Sequence, residues 1–311
     1  MKWKKLGRIF VPDGRFFWMK SHASLPIPEF MEKDVYKIYF SSRTSENISY
    51  TGYIIIDIKA PDKILEISKS PVLSPGTPGA FDDSGAMASC LVQHGQKKYM
   101  YYIGWNLSVT VPFRNSIGLA IANKPDEKFV KAYEGPVLDR NIYDPYFVAS
   151  THIIKEDNRF RMWYLSCRGW TKDEKNNMIH HYNIKYTDSE DGINWRMDNK
   201  TSIDFKNKYE YAISTPRVIK DANIYKMWYS YRAGPKNQSY RIGYAESPNG
   251  IGWTRKDEQA GIDVSENGWD SEMICYPHIF DHKGKRYMLY NGNGYGKTGF
   301  GLAVLVQSKP E

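Results

Sequence analysis

Cysteine is scarce in this chain of 311 residues: there are three, Cys90, Cys167 and Cys275. None stands at a C-x-x-C or similar ligand spacing, which excludes a disulfide framework and a cysteine-bound zinc as organising principles. Buried free thiols in a reducing compartment follow. Long apolar runs are missing as well. No run reaches the length that crosses a bilayer. The amino-terminal MKWKKLGRIF carries charge without the apolar core or cleavage site of a secretory signal. A cytoplasmic location without a membrane span is expected. No stretch sustains a 3.6-residue periodicity beyond about 12 residues, so helices are not the main element. Basic charge predominates, with a formal net charge of +8, but lysines and arginines are scattered and densest only at Lys2 to Arg8 and Lys283 to Arg286. A nucleic-acid groove needs a continuous basic stripe interleaved with stacking rings, and no nucleic-acid partner is expected. A mildly basic surface suits anionic sugars or phosphates, or is simply solvated.

Aromatics are plentiful, with 24 tyrosines and 9 tryptophans, and they recur in phase. GYAESPNGIGW (243 to 253) echoes KYTDSEDGINW (185 to 195), and each follows an aromatic run, YKMWYSYR and FRMWYLSCR. Weaker copies are YKIYFSSR, YMYYIGW and YMLYNGN. Their lead aromatics Tyr36, Tyr99, Phe160, Tyr225 and Tyr287 stand 63, 61, 65 and 62 residues apart. Five copies of one unit fill the chain. Each reads as three or four short antiparallel strands joined by Asp, Asn, Gly and Lys turns. The expected fold is all-β, a single five-bladed β-propeller domain over residues 1 to 311, with blades near 21–75, 76–141, 142–205, 206–265 and 266–307. The last unit lacks a fourth strand of its own, and residues 3 to 12 can supply it. That closing strand would remove two exposed sheet edges. WNLSVTVPFRN (105 to 115) and GWTKDEKNNM (169 to 178) read as the longest insertions. The S-x-D-G-x-x-W segment at Ser189, Asp191, Gly192 and Trp195 reads as a structural turn, as does its counterpart at Ser247, Asn249, Gly250 and Trp253.

In such a ring the first strand of each blade lines the central channel. A polar residue just before or on each first strand recurs in phase: His22, Asp83, Asp144, Glu210 and Glu272, separated by 61, 61, 66 and 62 residues. The five side chains are expected to converge, with at least one carboxyl pKa raised by its neighbours. Acid and base roles at an acetal need such a pair. Asp82 and Asp270 are adjacent alternatives, with turn capping as the competing role. Arg43 and Arg232 fall seven residues after their lead aromatics and Arg168 eight after its own, so they are candidates for clamping a substrate anion or for neutralising the acids. Trp105, Asn291 and His22, the last as a neutral donor, complete the candidate substrate contacts. No metal site and no cofactor are expected. Oligomeric state is left open.

On this blade pattern and motif phase, the chain resembles the five-bladed propeller superfamily of glycoside hydrolases that includes invertases, levansucrases, arabinanases, β-xylosidases and mannoside phosphorylases. It also resembles short, signal-less proteins associated with bacterial surface-polysaccharide biosynthesis. By resemblance, Asp144 corresponds to the transition-state stabiliser and Glu210 to the general acid, with Asp83 or Glu272 for the remaining carboxylate role. His22 stands where the superfamily's first-blade Asp would be. The resemblance implies a sugar or glycan substrate, anionic or nucleotide-linked, cleaved or transferred by carboxylate chemistry. Phosphorolysis and non-catalytic glycan binding are the alternatives.

Overall fold

The computed structural model describes residues 1–124, 127–233 and 237–306. Strand β1 (Trp3–Phe10) precedes five units. The first holds β2 (Ser21–Glu32), β3 (Val35–Arg43), β4 (Ser49–Asp57) and β5 (Ile64–Ile67). The second holds β6 (Gly85–His94), β7 (Lys97–Leu107), β8 (Phe113–Ala122) and β9 (Val130–Lys131). The third comprises β10 (Val148–Glu156), β11 (Arg159–Lys172), β12 (Met178–Ser189) and β13 (Lys200–Ile203). The fourth comprises β14 (Glu210–Asp221), β15 (Ile224–Ala233), β16 (Asn237–Ser247) and β17 (Thr254–Arg255). The fifth has β18 (Cys275–His282), β19 (Lys285–Asn291) and β20 (Phe300–Leu305), and β1 lies antiparallel against β20, Trp3 facing Leu305. The expected strand supplied by the chain's beginning is therefore present, two residues shorter than read.

Within a unit the pairing is an antiparallel meander, as turns such as Asp157-Asn158 and Lys283-Gly284 require. Units one and two are bridged by a single parallel pair, Ser49 with Gly85, and units three and four by Tyr182 with Ala212. Among the described residues no sheet closes on itself through hydrogen bonds, and beyond these bridges the units meet chiefly by packing. First strands touch in a cycle, β2 to β6 to β10 to β14 to β18 and back to β2. The apolar clusters straddle the seams. Trp163 of the third unit packs with Ile213 and Tyr229 of the fourth, and Phe40 of the first with Leu289 and Phe300 of the fifth.

The two read insertions are strand continuations instead. Strand β7 runs on to Leu107 and pairs with Phe113, and β11 runs to Lys172 opposite Met178, because alternating aromatic and polar residues keep the ladder going past the expected loop. Outer strands are shorter than read, two residues each in β9 and β17. The S-x-D-G-x-x-W segments are turns as expected. Ser189 Oγ accepts the Gly192 N–H at 2.9 Å and Asp191 Oδ1 the Ile193 N–H at 2.8 Å, with Gly192 at φ +75°. The Gly192 carbonyl accepts from Tyr101 of the preceding unit at 2.8 Å, and the Gly250 carbonyl from Trp163 at 2.7 Å, so each turn pins a seam.

Candidate functional site

The first strands all carry a β-bulge at the same depth: between Ser24 and Ile27, Ala88 and Cys90, Ala149 and Thr151, Ser214 and Arg217, and Cys275 and His278. In three of them the extra residues end in proline, and the residue before it is left-handed, Leu25 at φ 57°, Thr215 at 52° and Tyr276 at 54°. Such a conformation is costly for non-glycine residues, most of all for a β-branched one. It is held by hydrogen bonds from neighbouring strands: the Leu25 N–H donates to Asn291 Oδ1 (2.9 Å), Thr215 to Ser150 Oγ (3.0 Å) and Tyr276 to Ser230 Oγ (2.8 Å). These bulges floor a cavity of about 290 Å³ at the mouth of the strand cycle.

The wall is aromatic on one side. Trp105 stacks on Phe113 (centroids 4.2 Å apart) and His180 on Tyr182 (4.6 Å). On the other side Arg232 lies 4.3 Å over the Tyr240 ring and donates to the Tyr295 hydroxyl. Arg43 lines the same cavity, and none of the described lining residues is acidic. Among the described residues, three buried polar atoms of lining residues have no partner: Arg232 Nε, His180 Nε2 and Asn115 Oδ1. Burial, then Arg232 and His181, lowers the His180 pKa to about 4; burial, then Arg43 and Lys297, does the same to His22, also to about 4. Both imidazoles are neutral at neutral pH, while the guanidiniums stay charged.

None of the four expected carboxylates lines this cavity. Asp144, 1% exposed, accepts from Lys185 (2.8 Å), Ser166 (2.5 Å), Tyr164 (3.0 Å) and Asn141 (2.9 Å). Asp82 and Asp270 hold the same place in their own units, with Tyr102 and Lys131 on one and Tyr290 and Lys5 on the other. These three, spaced by 62 and 126 residues, are the true phase-mates. They clasp the start of the first strand to the second and to a third or fourth strand. Glu210 is clasped by both terminal nitrogens of Arg255, at 2.6 and 2.9 Å. Counting Asp83 and Glu272 with Asp144 slips the phase by one and two residues. Glu272 is exposed, and Asp83 accepts from the Gly79 N–H (3.0 Å), Ser84 (2.8 Å) and Asn106 (2.8 Å). Nor is a proton held at neutral pH on two of the acids. Burial opposes charge on Asp144 and on Asp83, but Lys185 with Ser166 and Asn141, and Gly79 with Ser84 and Asn106, outweigh it and leave both pKa values below the ordinary carboxylate value.

Of the six candidate substrate contacts, the cavity gathers Arg43, Trp105 and Arg232. Each stands three residues after the second-strand ring at the clasp position, Phe40, Tyr102 and Tyr229. Arg168 stands four after Tyr164. A one-residue offset puts a strand side chain on the opposite face, and it pairs there with Asp204 at 2.9 Å, half exposed. Asn291 is fully buried and spends its amide on Leu25, Ala23 and Gly299. His22 is half-buried against Ser21, off the cavity wall. Asn115 and His180 were missed because they lie in or beside segments read as insertions. Continuing the strand alternation would have set Asn115 opposite Trp105 and His180 opposite Trp170. Among the described residues no three His, Cys, Asp or Glu side chains gather as a metal site.

No family model matches the chain. The uncharacterized protein Rv1502 of Mycobacterium tuberculosis is 44% identical over 307 residues, which span 98% of this chain and 99% of that protein. This chain belongs to the Rv1502 family. Solved structures place the Rv1502-family protein by fold alone, at low identity. A thermostable family-43 glycoside hydrolase gives a TM-score of 0.66 at 17% identity, over 95% of this chain and 91% of that one. An exo-1,5-α-L-arabinanase from a bovine ruminal metagenomic library gives 0.59 at 17%, over 93% and 94%. The GH32 β-fructofuranosidase of Bombyx mori gives 0.60 at 15%, over 95% and 63%.

Proposed function

We propose that this Rv1502-family protein is a carbohydrate-active, single-domain five-bladed β-propeller whose funnel binds a sugar carrying an anionic group. The cycle of first strands and the fold likeness to glycosidases support the architecture. The observation that carries the ligand class is the cavity itself. Arg43 and Arg232 share this space with an aromatic wall, with no carboxylate among the described lining residues. Rings offer faces for sugar C–H groups, and a guanidinium matches a carboxylate or phosphate edge. Titration calorimetry with uronic acids and sugar phosphates against their neutral parent sugars tests this. Anionic members are expected to bind at least about tenfold more tightly, a difference of about 1.4 kcal/mol, and Arg232→Met to abolish the preference. Equal binding of neutral and anionic sugars would sink the reading.

Hydrolysis by two facing carboxyl groups, about 5–9.5 Å apart in such enzymes, is not what this cavity favours, because Asp144 and Glu210 are committed to clasps. Transfer of a glycosyl group to phosphate is the second reading. It is favoured by Arg43 and Arg232, whose guanidiniums line the funnel and match a phosphate edge. Its mark would be product release that rises with phosphate concentration. We further infer a cytoplasmic location, in keeping with three free, buried cysteines.

A further inference from the structure

A groove of about 480 Å³ opens beside the funnel, between the first and second units, and shares the wall residues Arg43, Met87 and Trp105 with it. The two spaces differ in chemistry. The funnel is cationic and without acids among its described lining, whereas the groove carries the carboxylates of Asp83 and Glu46 with the hydroxyls of Ser49 and Ser84. Asp83 is held ionised by its three donors, and Glu46 is exposed at a turn whose N–H is bonded to Thr44 Oγ1. Ionised carboxylates only accept hydrogen bonds, so this groove suits a hydroxyl-rich, uncharged unit and repels a second anion. Arg43 stands at the junction. Its guanidinium has no hydrogen bond or ion pair within the described chain, and it is positioned to reach a group in either space. Trp105 presents its half-buried indole to both. At about 290 Å³ the funnel lies at the lower end of ligand cavities, which run from about 300 to 1,000 Å³, and has room for about one sugar.

We propose that the groove is a second sugar subsite, so that the ligand is an acidic saccharide of at least two residues: its charged unit sits between Arg43 and Arg232, and a neutral neighbour lies across Trp105 against Asp83 and Glu46. The inference rests on the anionic-sugar reading of the funnel and adds the length and polarity of the ligand. It gives Asp83 and Glu46 the role of hydroxyl acceptors and Trp105 that of a platform between subsites.

Calorimetry with two matched pairs of probes tests it: methyl glucuronide against a disaccharide ending in glucuronate, and a hexose phosphate against a disaccharide phosphate. The readout is the ratio of the two dissociation constants within a pair. In the natural protein the disaccharide is expected to bind at least about tenfold more tightly in the pair with the preferred anion, and the two pairs separate carboxylate from phosphate as its source. Glu46→Ala and Asp83→Asn are each expected to bring that ratio toward one; Glu46, exposed and without side-chain partners among the described residues, keeps the test valid should the Asp83 variant unfold. A ratio of one in the natural protein, or an advantage that survives both substitutions, overturns the second subsite. Failure of all four probes to bind removes the anionic funnel itself, and the subsite with it.

Discussion

Arg232 and His180 divide the funnel's electrostatics between them, one permanently charged and the other held neutral by burial. Their difference makes a pH prediction with a definite sign. With His180 and His22 both lowered to about 4, affinity for a sugar sulfate, ionised throughout, should stay flat from pH 8 down to about 5.5. It should then strengthen as protonation adds positive charge nearer pH 4. A rise centred near 6.5 would instead show ordinary imidazoles in an open site. Calorimetry across that range reads it directly. Arg43, Trp105 and Arg232 were legible in the sequence because each keeps a fixed distance from a recurring ring. Arg168 misled because seven and eight residues look alike in a list and opposite in a pleated strand. The carboxylates were harder. Asp82-Asp83 offers two acids at nearly one phase, and only the Tyr102 hydroxyl and the Lys131 amine reveal that Asp82 belongs with Asp144. Both partners are distant in sequence, so no local pattern announces them.

Individual strands show how the repeat is held. Opposite the clasp rings Phe40, Tyr102, Tyr229 and Tyr290, the third strands carry Gly52, Gly118, Gly243 and Gly301. A Cβ on Gly118 would lie 2.2 Å from the Tyr102 ring. Gly118→Ala must therefore push the ring off its Asp82 contact. It is expected to cost about 1–3 kcal/mol of unfolding free energy by overpacking, while Gly135→Ala, with nothing near it, stays close to neutral. Urea titrations of the two variants make the comparison. In the third unit Lys185 takes the glycine's place opposite Tyr164 and reaches Asp144 itself. The meander was readable from aromatic and β-branched alternation. The bulges were not, although S-L-P, S-T-P and C-Y-P stand at 24–26, 214–216 and 275–277. Proline in a first strand marks a break in the ladder, and the three share a depth only once the strands lie side by side.

At the scale of the whole molecule, ion pairs stitch unit to unit on top of the apolar seams. Glu29 meets Lys98 (2.5 Å), Glu156 pairs with Lys220, Asp221 meets Arg286 (2.7 Å) and Asp34 meets Lys283 (2.7 Å). Burial raises the Glu156 pKa, but Lys220, Tyr225 and Arg161 outweigh it and lower it to about 2; the partners of Asp34 and Asp221 lower theirs also. A carboxylate with a depressed folded pKa contributes stability above its unfolded value, near 4.5 for Glu, and loses it as pH falls toward the folded one. Melting temperature should therefore drop between about pH 4.5 and 2, and less steeply in Glu156→Gln. A flat profile there would mean that the seams owe nothing to these pairs. The fivefold repeat made the succession of five antiparallel units legible from the chain alone, since its period survives even where the copies share little. Which cations meet which acids across a seam did not, because those partners lie 64 to 249 residues apart.

The pairing of β1 with β20 sets an order of events in time. A ribosome adding about 5–20 residues per second makes Trp3 some 300 residues before its partner Leu305. The first strand of the chain thus waits roughly 15–60 s for its neighbour. Throughout that interval its edge amides are open to other nascent chains. Strand β1 precedes all five units and yet is paired only after they are made, and any lesion that delays β20 lengthens its exposure.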